Sequence, residues 1–189
     1  MIASLEPQWH GDAAQLLARA FVTNPLNVAA FGRDQLARNE AFFRAGLPVM
    51  YGPKLVALDG PRLVGFIHWV ESPGCRVPAG AKVRMLPGMV RGFGLRSALR
   101  VGRWMSTWEK HDPHDDHLHL GPIGVDPAMQ GKGLGRQLMA RYCEAADAAG
   151  LPGYLETDRP ENVPFYAGFG FRTVAEVPVL GVTNYLMRR

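Results

Sequence analysis

The fold is decided by the segment V-D-P-A-M-Q-G-K-G-L-G-R, residues 125–136. A strand-like apolar run, residues 117–125, leads into it, and from Leu134 onward apolar residues recur with helical periodicity. Its three glycines allow the backbone to approach a ligand closely, and the first amides of a helix point outward at the positive end of the helix dipole. Lys132 and Arg136 add positive charge there. The segment therefore predicts a turn between strand and helix that binds phosphate.

Two other phosphate-binding loops are excluded by the same residues. The dinucleotide loop G-x-G-x-x-G needs a glycine where this chain has Arg136. The loop G-x-x-x-x-G-K-[ST] needs a lysine after its last glycine, whereas Leu134 follows Gly133. The alternative that stays open is a glycine-rich turn that binds nothing, because such turns are common.

Turn signals divide the rest of the chain into short elements. Upstream, the pattern predicts helices at 12–21, with Asp12 as N-cap, and at 33–45, a hairpin of strands 54–58 and 62–70, a Gly- and Pro-rich segment at 72–89 and a helix at 95–110. Downstream, it predicts strand 117–125, helix 134–149, strand 153–157, a short helix at 163–167 and strands 172–179 and 183–187. This order indicates an α/β fold in which a parallel strand pair is joined by a right-handed crossover.

The predicted helix at residues 95–110 is amphipathic. Its apolar side chains and its arginines lie on opposite faces: Leu95, Leu99, Trp104, Met105 and Trp108 against Arg96, Arg100 and Arg103. We prefer a packed Leu and Trp face beneath solvated arginines, because aromatic residues at helical spacing usually belong to a core. A helix that binds a membrane surface or a nucleic acid is the alternative.

Composition restricts the class of protein. A chain of 189 residues, 47% of them apolar, predicts one domain over residues 1–189, and no repeat or linker divides it. Its 21 basic and 17 acidic residues give a net charge of +4, which suits an anionic ligand but is weak for a dedicated nucleic-acid binder. Two cysteines make no disulfide framework, and no signal peptide or membrane-spanning run is recognised, so we expect a cytoplasmic protein.

Two motifs together resemble the GCN5-related N-acetyltransferases (GNAT). Gln130-x-x-Gly133-x-Gly135, directly after a strand, is similar to the first signature of that family, Q/R-x-x-G-x-G/A. Asn162-x-Pro-Phe-Tyr166, followed by Gly170 and Phe171, is similar to the second. The resemblance is close over residues 117–171, where it is strongest to the puromycin N-acetyltransferase subgroup, and vague before them.

The resemblance implies a particular version of the α/β fold. We expect a mixed, mostly antiparallel twisted sheet with a central parallel pair of splayed strands and helices on both faces. Residues 117–189 would form an acetyl-CoA-binding core. Residues 1–116 would supply the first helices, the hairpin and the acceptor pocket, whose apolar wall would include residues 85–108.

Acetyl-CoA is the co-substrate that the resemblance implies. The pyrophosphate would lie on the segment after the strand, at Gln130, Gly131, Lys132, Gly133, Leu134, Gly135 and Arg136. The pantetheine arm would run along the strand edge at Ile123, Gly124 and Val125. Asn162 would hydrogen-bond that arm, or else cap the short helix that follows it.

Acyl transfer to an amine needs a proton donor for the departing thiolate and a proton acceptor for the amine. Tyr166 is the candidate acid, because a phenol with a pKa near 10 stays protonated at neutral pH. His119 is the candidate base, at a position where many family members carry a glutamate, and Glu156 on the neighbouring strand is the second candidate. For each of these side chains a structural role is the alternative, as it is for His117, two residues from His119.

The stretch of residues 111–119 carries imidazoles and carboxylates, which are zinc ligands. Its spacing matches no H-E-x-x-H pattern, and alternation along a strand would spread these groups apart. We therefore predict no metal site.

The resulting hypothesis is an N-acetyltransferase in which the amine attacks acetyl-CoA directly. The acceptor would be a small-molecule amine, such as an aminonucleoside antibiotic, and the protein would be a monomer or homodimer without a nucleic-acid or membrane partner. Two alternatives stay open. One is a non-catalytic regulator that binds acyl-CoA, and the other is a basic nucleic-acid-binding module built on residues 91–103.

Overall fold

The computed structural model describes residues 1–76 and 79–189, which contain both helices and strands. The strands are β1 (Ile2–Ser4), β2 (Lys54–Asp59), β3 (Arg62–Glu71), β4 (Leu118–Val125), β5 (Gly153–Thr157), β6 (Arg172–Val179) and β7 (Val182–Arg188). The helices are α1 (His10–Phe21), α2 (Pro25–Phe31), α3 (Leu36–Gly46), α4 (Ala79–Phe93), α5 (Leu95–His111), α6 (Leu134–Ala149) and α7 (Val163–Ala167).

The strands form one sheet in the order β1-β2-β3-β4-β5-β7-β6. Each neighbouring pair is antiparallel except β4 and β5, which are parallel and are connected through α6. The mixed, mostly antiparallel sheet with a central parallel pair is therefore confirmed.

The parallel pair is splayed. Ladder contacts join β4 and β5 only at Leu118 with Gly153 and at His119 with Tyr154. Just beyond this point β4 carries a bulge, in which Gly121 and Pro122 together oppose His68 of β3. A bulge bends the strand that contains it, which accounts for the separation of β4 from β5.

Glycine at the bulge is required by the neighbouring strand. A Cβ atom at Gly121 would lie 2.2 Å from Nδ1 of His68, which is far inside van der Waals contact. The His68 ring is buried, and its Nε2 lies 2.6 Å from the carbonyl oxygen of Tyr51. The buried ring and the glycine thus fit together at the position where the sheet opens.

Helices cover both faces of the sheet. On one face, Leu138, Met139 and Tyr142 of α6 form a buried cluster with residues of β3, β4 and β5, and Tyr166 of α7 joins it. On the other face, α1 and α3 cover Val56 and Phe66, while α2 and α5 pack over β5, β6 and β7. Alternate residues of one strand therefore face different helices.

Most of the predicted elements in the C-terminal half are found as expected. α6, β5, α7 and β6 have the predicted bounds, and β7 extends the predicted strand by one residue at each end. The left-handed glycines Gly133 and Gly150, with φ of 79° and 65°, lie at the two ends of α6. Glycine adopts this conformation without strain, so these positions end the helix where the sequence indicates.

Three elements of the N-terminal half were not predicted. These are β1, α2 and α4. α4 replaces much of the Gly- and Pro-rich segment predicted at 72–89, in which residues 77 and 78 lie outside the described part. Met89, Val90 and Phe93 of α4 pack against the cluster formed with α2 and α5. Tertiary packing of this apolar face outweighs the low helix propensity of the segment.

Several predicted boundaries were wrong. α1 begins at His10, so Asp12 lies in the first turn and is not the N-cap. α3 begins at Leu36 because Asp34 has a φ of 55°, which is incompatible with a helix starting at residue 33. β4 begins at Leu118, which leaves His117 in the preceding loop.

The packed face of α5 differs from the predicted one. Ser97, Ala98, Val101 and Trp104 are buried, whereas Leu95 and Leu99 are 57% and 61% exposed. The prediction was right for Trp104 and Trp108 and wrong for the two leucines and for Met105, which is 41% exposed. The packed face of the helix is therefore rotated relative to the predicted one. Across the described residues, no helix combines the length and apolar character needed to cross a membrane.

Candidate functional site

The glycine-rich turn presents free backbone amides. Gly131 and Gly133 have φ of 78° and 79°, and a Cβ atom on either would meet nothing within 4 Å. Within the part of the chain that the structure describes, the amides from Gly131 to Arg136 donate no hydrogen bond. The first turn of a helix leaves its amides unpaired in this way. We call residues 130–136 the amide cradle.

Positive charge surrounds the amide cradle. Lys132 and Arg136 are both exposed, and Nζ of Lys132 lies 3.3 Å from Sδ of Met129. The positive end of the α6 dipole is directed to the same place. The cradle therefore has the amides, the charge and the open space that an anion requires.

Asp126 anchors the turn that leads into the amide cradle. Its side chain accepts a hydrogen bond from the Ala128 amide at 3.0 Å. It also pairs with Arg19 of α1 at 3.0 Å and with Arg62 of β3 at 3.1 Å. Burial alone would raise the pKa of Asp126, but the Ala128 amide and Arg19 outweigh it and lower that pKa. The carboxylate thus holds helix, strand and turn together.

The edge of β4 faces an open gap between β4 and β5. Ile123 and Val125 are partly exposed, and no ladder contact joins this part of β4 to β5. Gly124 is buried against α1, where a Cβ atom would lie 3.1 Å from Leu17. The three residues predicted to lie along the pantetheine arm therefore border the gap, with Gly124 turned toward α1.

The second motif lies beside the same gap. Asn162 precedes α7, and its side chain makes no capping bond but contacts Oγ1 of Thr157 at 3.5 Å. Asn162 thus occupies the N-cap position of α7, as the alternative from sequence expected, but its side chain does not cap the helix. The Tyr166 ring packs against Phe165 and Phe171.

Tyr166 keeps its proton in this environment. Burial, and in second place the nearby Asp158 carboxylate, raise the pKa of the phenol. Its hydroxyl makes no hydrogen bond to any residue that the structure describes. The group is thus a protonated phenol with an unused donor.

His119 and Glu156 meet on the opposite face of the sheet. Nε2 of His119 lies 2.9 Å from Oε2 of Glu156, while Oε1 of Glu156 is buried without a partner. Leu155 joins the cluster beneath α6, so Glu156, one residue along β5, faces the other side. Glu156 lies on β5 just beyond the last ladder contact between β4 and β5.

His117 and His119 both approach Asp112. Nε2 of His117 and Nδ1 of His119 lie 3.3 and 3.2 Å from Oδ1 of the same carboxylate. Burial alone would lower the pKa of each imidazole. The contact with Asp112 instead raises the pKa of His117 to about 9, and Glu156 together with Asp112 raises that of His119 well above 6.5. Each ring nitrogen of His119 thus lies next to a carboxylate, Asp112 on one side and Glu156 on the other.

Cys75 completes this group of side chains. Its Sγ lies 3.6 Å from Oδ2 of Asp112, and Nε of Arg76 lies 2.9 Å from the same oxygen. Burial alone would raise the pKa of the thiol, but contacts with His117 and His119 lower it. Potential ligand atoms of Cys75, Asp112, His117 and His119 all lie within 4.8 Å of one another.

The expectation that alternation along a strand spreads these groups was wrong. His117 lies outside the strand, and the loop before β4 turns its ring to the same side as that of His119. The predictions also missed Cys75, because its partners are distant in sequence. Asp112 was within the stretch singled out for its possible ligands, but its convergence with two imidazoles depends on the tertiary fold.

A surface depression lies beside α5, away from the candidate catalytic residues. It is lined by Ala29, Leu99, Arg100, Arg103, Thr107, Pro178, Leu180 and Gly181. Only its α2 and α5 residues come from the regions predicted to form the acceptor pocket. None of the candidate catalytic residues lines it, so its position does not identify the acceptor site.

Comparison with known proteins gives a consistent assignment. The model of the acetyltransferase (GNAT) family matches residues 23–171. A mycothiol acetyltransferase from Nocardioides is 34% identical over an alignment of 76 residues that covers 34% of this chain and 26% of that protein. The chain spans about a quarter of the length of the first curated relatives it matches.

Solved structures share the fold at low sequence identity. A structure described as histone acetyltransferase HPA2 and related acetyltransferase, from Corynebacterium glutamicum, has a TM-score of 0.75 at 19% identity, with 100% of this chain and 94% of that chain covered. The yncA protein of Salmonella typhimurium, solved with its cofactor acetyl-CoA, has a TM-score of 0.59 at 17% identity, with 100% and 92% covered.

Proposed function

Because this chain belongs to the acetyltransferase (GNAT) family, we propose that it transfers the acetyl group of acetyl-CoA to an amine. The observation that carries the proposal is the amide cradle beside an open gap in the sheet. An anion fits the cradle, and an extended arm fits an unpaired strand edge. Acetyl-CoA combines these two chemical features in one molecule.

The residues of the cradle fit a pyrophosphate. The amides from Gly131 to Arg136 would donate to its oxygens, with Lys132 and Arg136 balancing its charge. Gln130 begins this segment, and its Nε2 donates to the carbonyl of Val125 at 3.3 Å. This bond fixes the end of β4 relative to the cradle, so that Ile123 and Val125 would offer backbone groups to the arm.

When bound, acetyl-CoA supplies an acetyl thioester whose acyl group moves from sulfur to the amine nitrogen. Tyr166 would donate the proton that the departing thiolate takes up. Its raised pKa keeps that proton on the phenol at neutral pH. Asn162, between β5 and α7, would hydrogen-bond the arm and hold the thioester near the phenol.

The amine must lose a proton, and we assign its acceptor to Glu156. Oε1 of Glu156 has no partner, whereas both ring nitrogens of His119 face carboxylates. His119, the first candidate base from sequence, is better placed as the residue that orients Glu156. Its hydrogen bond to Oε2 leaves Oε1 available to an ammonium group at the gap.

The proposed acceptor is a small-molecule amine. It would approach on the Glu156 face of the sheet, where Trp104 and Trp108 of α5 lie in one cluster with Tyr154. These rings give the face an apolar wall, as residues 85–108 were expected to do. The likeness of residues 117–171 to puromycin N-acetyltransferases makes an aminonucleoside the first acceptor to test.

The proposal is tested by thiol release from acetyl-CoA in the presence of a panel of amines. The panel contains aminonucleosides, other amino antibiotics, polyamines, amino acids and peptides. We expect at least one amine to give amine-dependent release and an acetylated product. Stabilisation by acetyl-CoA with no release for any amine would instead favour the non-catalytic regulator.

A further inference from the structure

We propose that Cys75, Asp112, His117 and His119 form a binding site for a zinc ion. Each residue offers one potential ligand atom, and these four atoms lie within 4.8 Å of one another. Sγ of Cys75, Nε2 of His117 and Nδ1 of His119 all approach Oδ1 of Asp112. We call these residues the four-residue cluster. Metal binding can be measured without acetyl-CoA, so this inference stands or falls independently of the proposed acetyl transfer.

Two imidazole nitrogens are directed at the same carboxylate oxygen. Nε2 of His117 and Nδ1 of His119 are within 3.3 Å of one oxygen of Asp112. Both nitrogens nevertheless count among the buried atoms with no hydrogen-bond partner. They are therefore close to the carboxylate but not aligned with it. Nitrogen and oxygen atoms directed at a shared point are the arrangement that a metal ion satisfies.

The other ring nitrogen of each histidine already has a hydrogen-bond partner. Nδ1 of His117 lies 2.8 Å from the carbonyl of Asp115, and Nε2 of His119 lies 2.9 Å from Glu156. Carbonyl and carboxylate oxygens only accept, so these nitrogens carry the protons. In the neutral rings this leaves lone pairs on the two inward nitrogens. Metal-binding histidines typically have such outer hydrogen bonds, which fix the tautomer and the ring orientation.

The ring positions are fixed by packing as well. Tyr154 of β5 lies edge-on to both imidazoles, with ring centroids 5.5 Å from His117 and 5.1 Å from His119. Ser72 accepts a hydrogen bond at its Oγ from the His117 amide at 3.1 Å. Arg76 binds the second oxygen of Asp112 and leaves Oδ1 facing the imidazoles. The ligands are thus oriented before any ion arrives.

The distances suit a tetrahedral ion. Zinc bonds of about 2.0–2.3 Å place neighbouring ligand atoms about 3.3–3.6 Å apart in a tetrahedron. The nitrogen-to-oxygen separations are 3.2 and 3.3 Å, and Sγ of Cys75 lies 3.8 Å from Oδ1 of Asp112. Since no pair exceeds 4.8 Å, no pair needs to close by more than roughly 1.5 Å.

Charge also favours a divalent cation. The negative charges of the Cys75 thiolate and the Asp112 carboxylate together balance the two positive charges of Zn²⁺. Outside the cluster, the negative charge of Glu156 and the positive charge of Arg76 balance each other. Among the described residues, Arg76 is the only lysine or arginine that pairs with Asp112 or Glu156 when no ion is present. The sulfur and imidazole ligands favour zinc over magnesium or calcium, which prefer oxygen.

Such an ion would connect three segments of the chain. Cys75 belongs to the turn after β3, Asp112 follows α5, and His117 and His119 lie just before and within the start of β4. His119 also contacts Glu156, so the ion would fix the imidazole that orients this carboxylate. With four protein ligands the site is closed, which assigns the ion to holding the structure and not to activating water.

The experiment measures metal content and ligand identity in the full 189-residue chain. The protein is stripped with a chelator, reloaded with zinc, freed from excess metal by gel filtration and analysed by mass spectrometry for bound metal. We expect about one zinc ion per chain. In parallel, Co²⁺ replaces zinc, and we expect the visible bands of tetrahedral cobalt and a near-ultraviolet thiolate-to-cobalt band.

Matched variants identify the ligands. Cys75→Ser should remove the thiolate band and weaken zinc binding by roughly 100-fold or more, whereas Cys143→Ser, which changes the cysteine in α6, should change neither. His117→Gln should likewise weaken binding, and His114→Gln, at an exposed histidine, should not.

Two results would refute the proposed zinc site. One is a folded wild-type protein that takes up less than about a tenth of an equivalent of zinc. The other is a thiolate band that Cys143→Ser removes as fully as Cys75→Ser. If Cys75→Ser does not fold, the cobalt spectrum of the wild-type chain decides. Acetylation of Cys75 by acetyl-CoA without metal uptake would show that the cluster activates a nucleophile instead.

Discussion

Nε2 of His119 and Oε2 of Glu156 are 2.9 Å apart, and their hydrogen bond connects β4 to β5 at the point where the ladder between the two strands ends. Since the carboxylate can only accept, the imidazole donates. The contact therefore fixes one oxygen of Glu156 and leaves the other free. The proposed acetyl transfer depends on this free oxygen and on the gap beside it.

Replacing Glu156 with glutamine removes the proposed proton acceptor while keeping the size of the side chain. We expect kcat to fall by about 100-fold, because general base catalysis typically contributes about 10²–10⁴-fold. The KM for acetyl-CoA should change little, since Glu156 lies on the other face of the sheet from the cradle. Steady-state kinetics with the best amine from the panel measures both constants.

The control for Glu156→Gln is Glu161→Gln, at a side chain that is 74% exposed. It should leave kcat within about twofold of the wild-type value. A Glu156→Gln enzyme that also keeps its kcat would exclude Glu156 as the proton acceptor.

Replacing Tyr166 with phenylalanine tests the proposed acid. The ring contacts with Phe165 and Phe171 are retained, and only the hydroxyl is lost. We expect kcat to drop by about 100-fold with little change in the dissociation constant of acetyl-CoA, because the phenol acts on the leaving thiolate. Calorimetry measures the dissociation constant of acetyl-CoA, and the rate of thiol release gives kcat.

Tyr51→Phe, at a side chain that is 75% exposed, is the matched control for the loss of a phenol. It should be indistinguishable from wild type in both measurements. Equal effects of Tyr51→Phe and Tyr166→Phe would refute the role of Tyr166.

Two substitutions of Gly135 separate the effect of side-chain size from the effect of negative charge on acetyl-CoA binding at the amide cradle. A Cβ atom there would lie 3.7 Å from Phe165, which is ordinary contact, so Gly135→Ala should fold and bind acetyl-CoA. Gly135→Asp adds a carboxylate next to the pyrophosphate position. We expect the dissociation constant of acetyl-CoA from this variant to rise by about 10-fold or more. Calorimetric titration of both variants makes the comparison. If the two variants bind equally well, the cradle does not hold the pyrophosphate.

The pH dependence of stability should report on Asp126. Its pKa in the folded protein is lowered from 3.8, so its contribution is present above about pH 4 and is lost as the pH falls through the lowered value. We expect Asp126→Asn to lower the free energy of unfolding by about 1–2 kcal/mol near pH 7, since both arginine partners are partly exposed. Urea unfolding at several pH values measures this difference.

The difference between wild type and Asp126→Asn should shrink as the pH falls below 3.8 through the lowered pKa of Asp126, because the carboxyl group is then protonated in both the folded and the unfolded chain. Asp116→Asn, at an exposed side chain, should cost little at any pH. A constant cost of Asp126→Asn from pH 7 to pH 2 would show that its charge does not stabilise the turn.

Sequence was most informative where local signals are strong. The glycines at both ends of α6 fix its bounds, and the two motifs on either side of β5 identify the cradle and Tyr166. These signals lie within a few residues of one another, so periodicity and turn chemistry are sufficient.

Features that depend on distant contacts were not predictable. α4 contains Pro87 and several glycines, and it forms because Phe93 and its neighbours pack on α2 and α5. The four-residue cluster joins Cys75 to residues more than 30 positions away. The bulge at Gly121 depends on the buried ring of His68, which no local pattern indicates.

The central claim is that the amide cradle and the gap between β4 and β5 hold acetyl-CoA. A crystal structure of the acetyl-CoA complex tests it most directly. We expect the pyrophosphate oxygens within hydrogen-bond distance of the amides between Gly131 and Arg136, and the thioester in the gap near Tyr166. Coenzyme bound elsewhere, or a cradle left without it in crystals grown at saturating acetyl-CoA, would contradict the account.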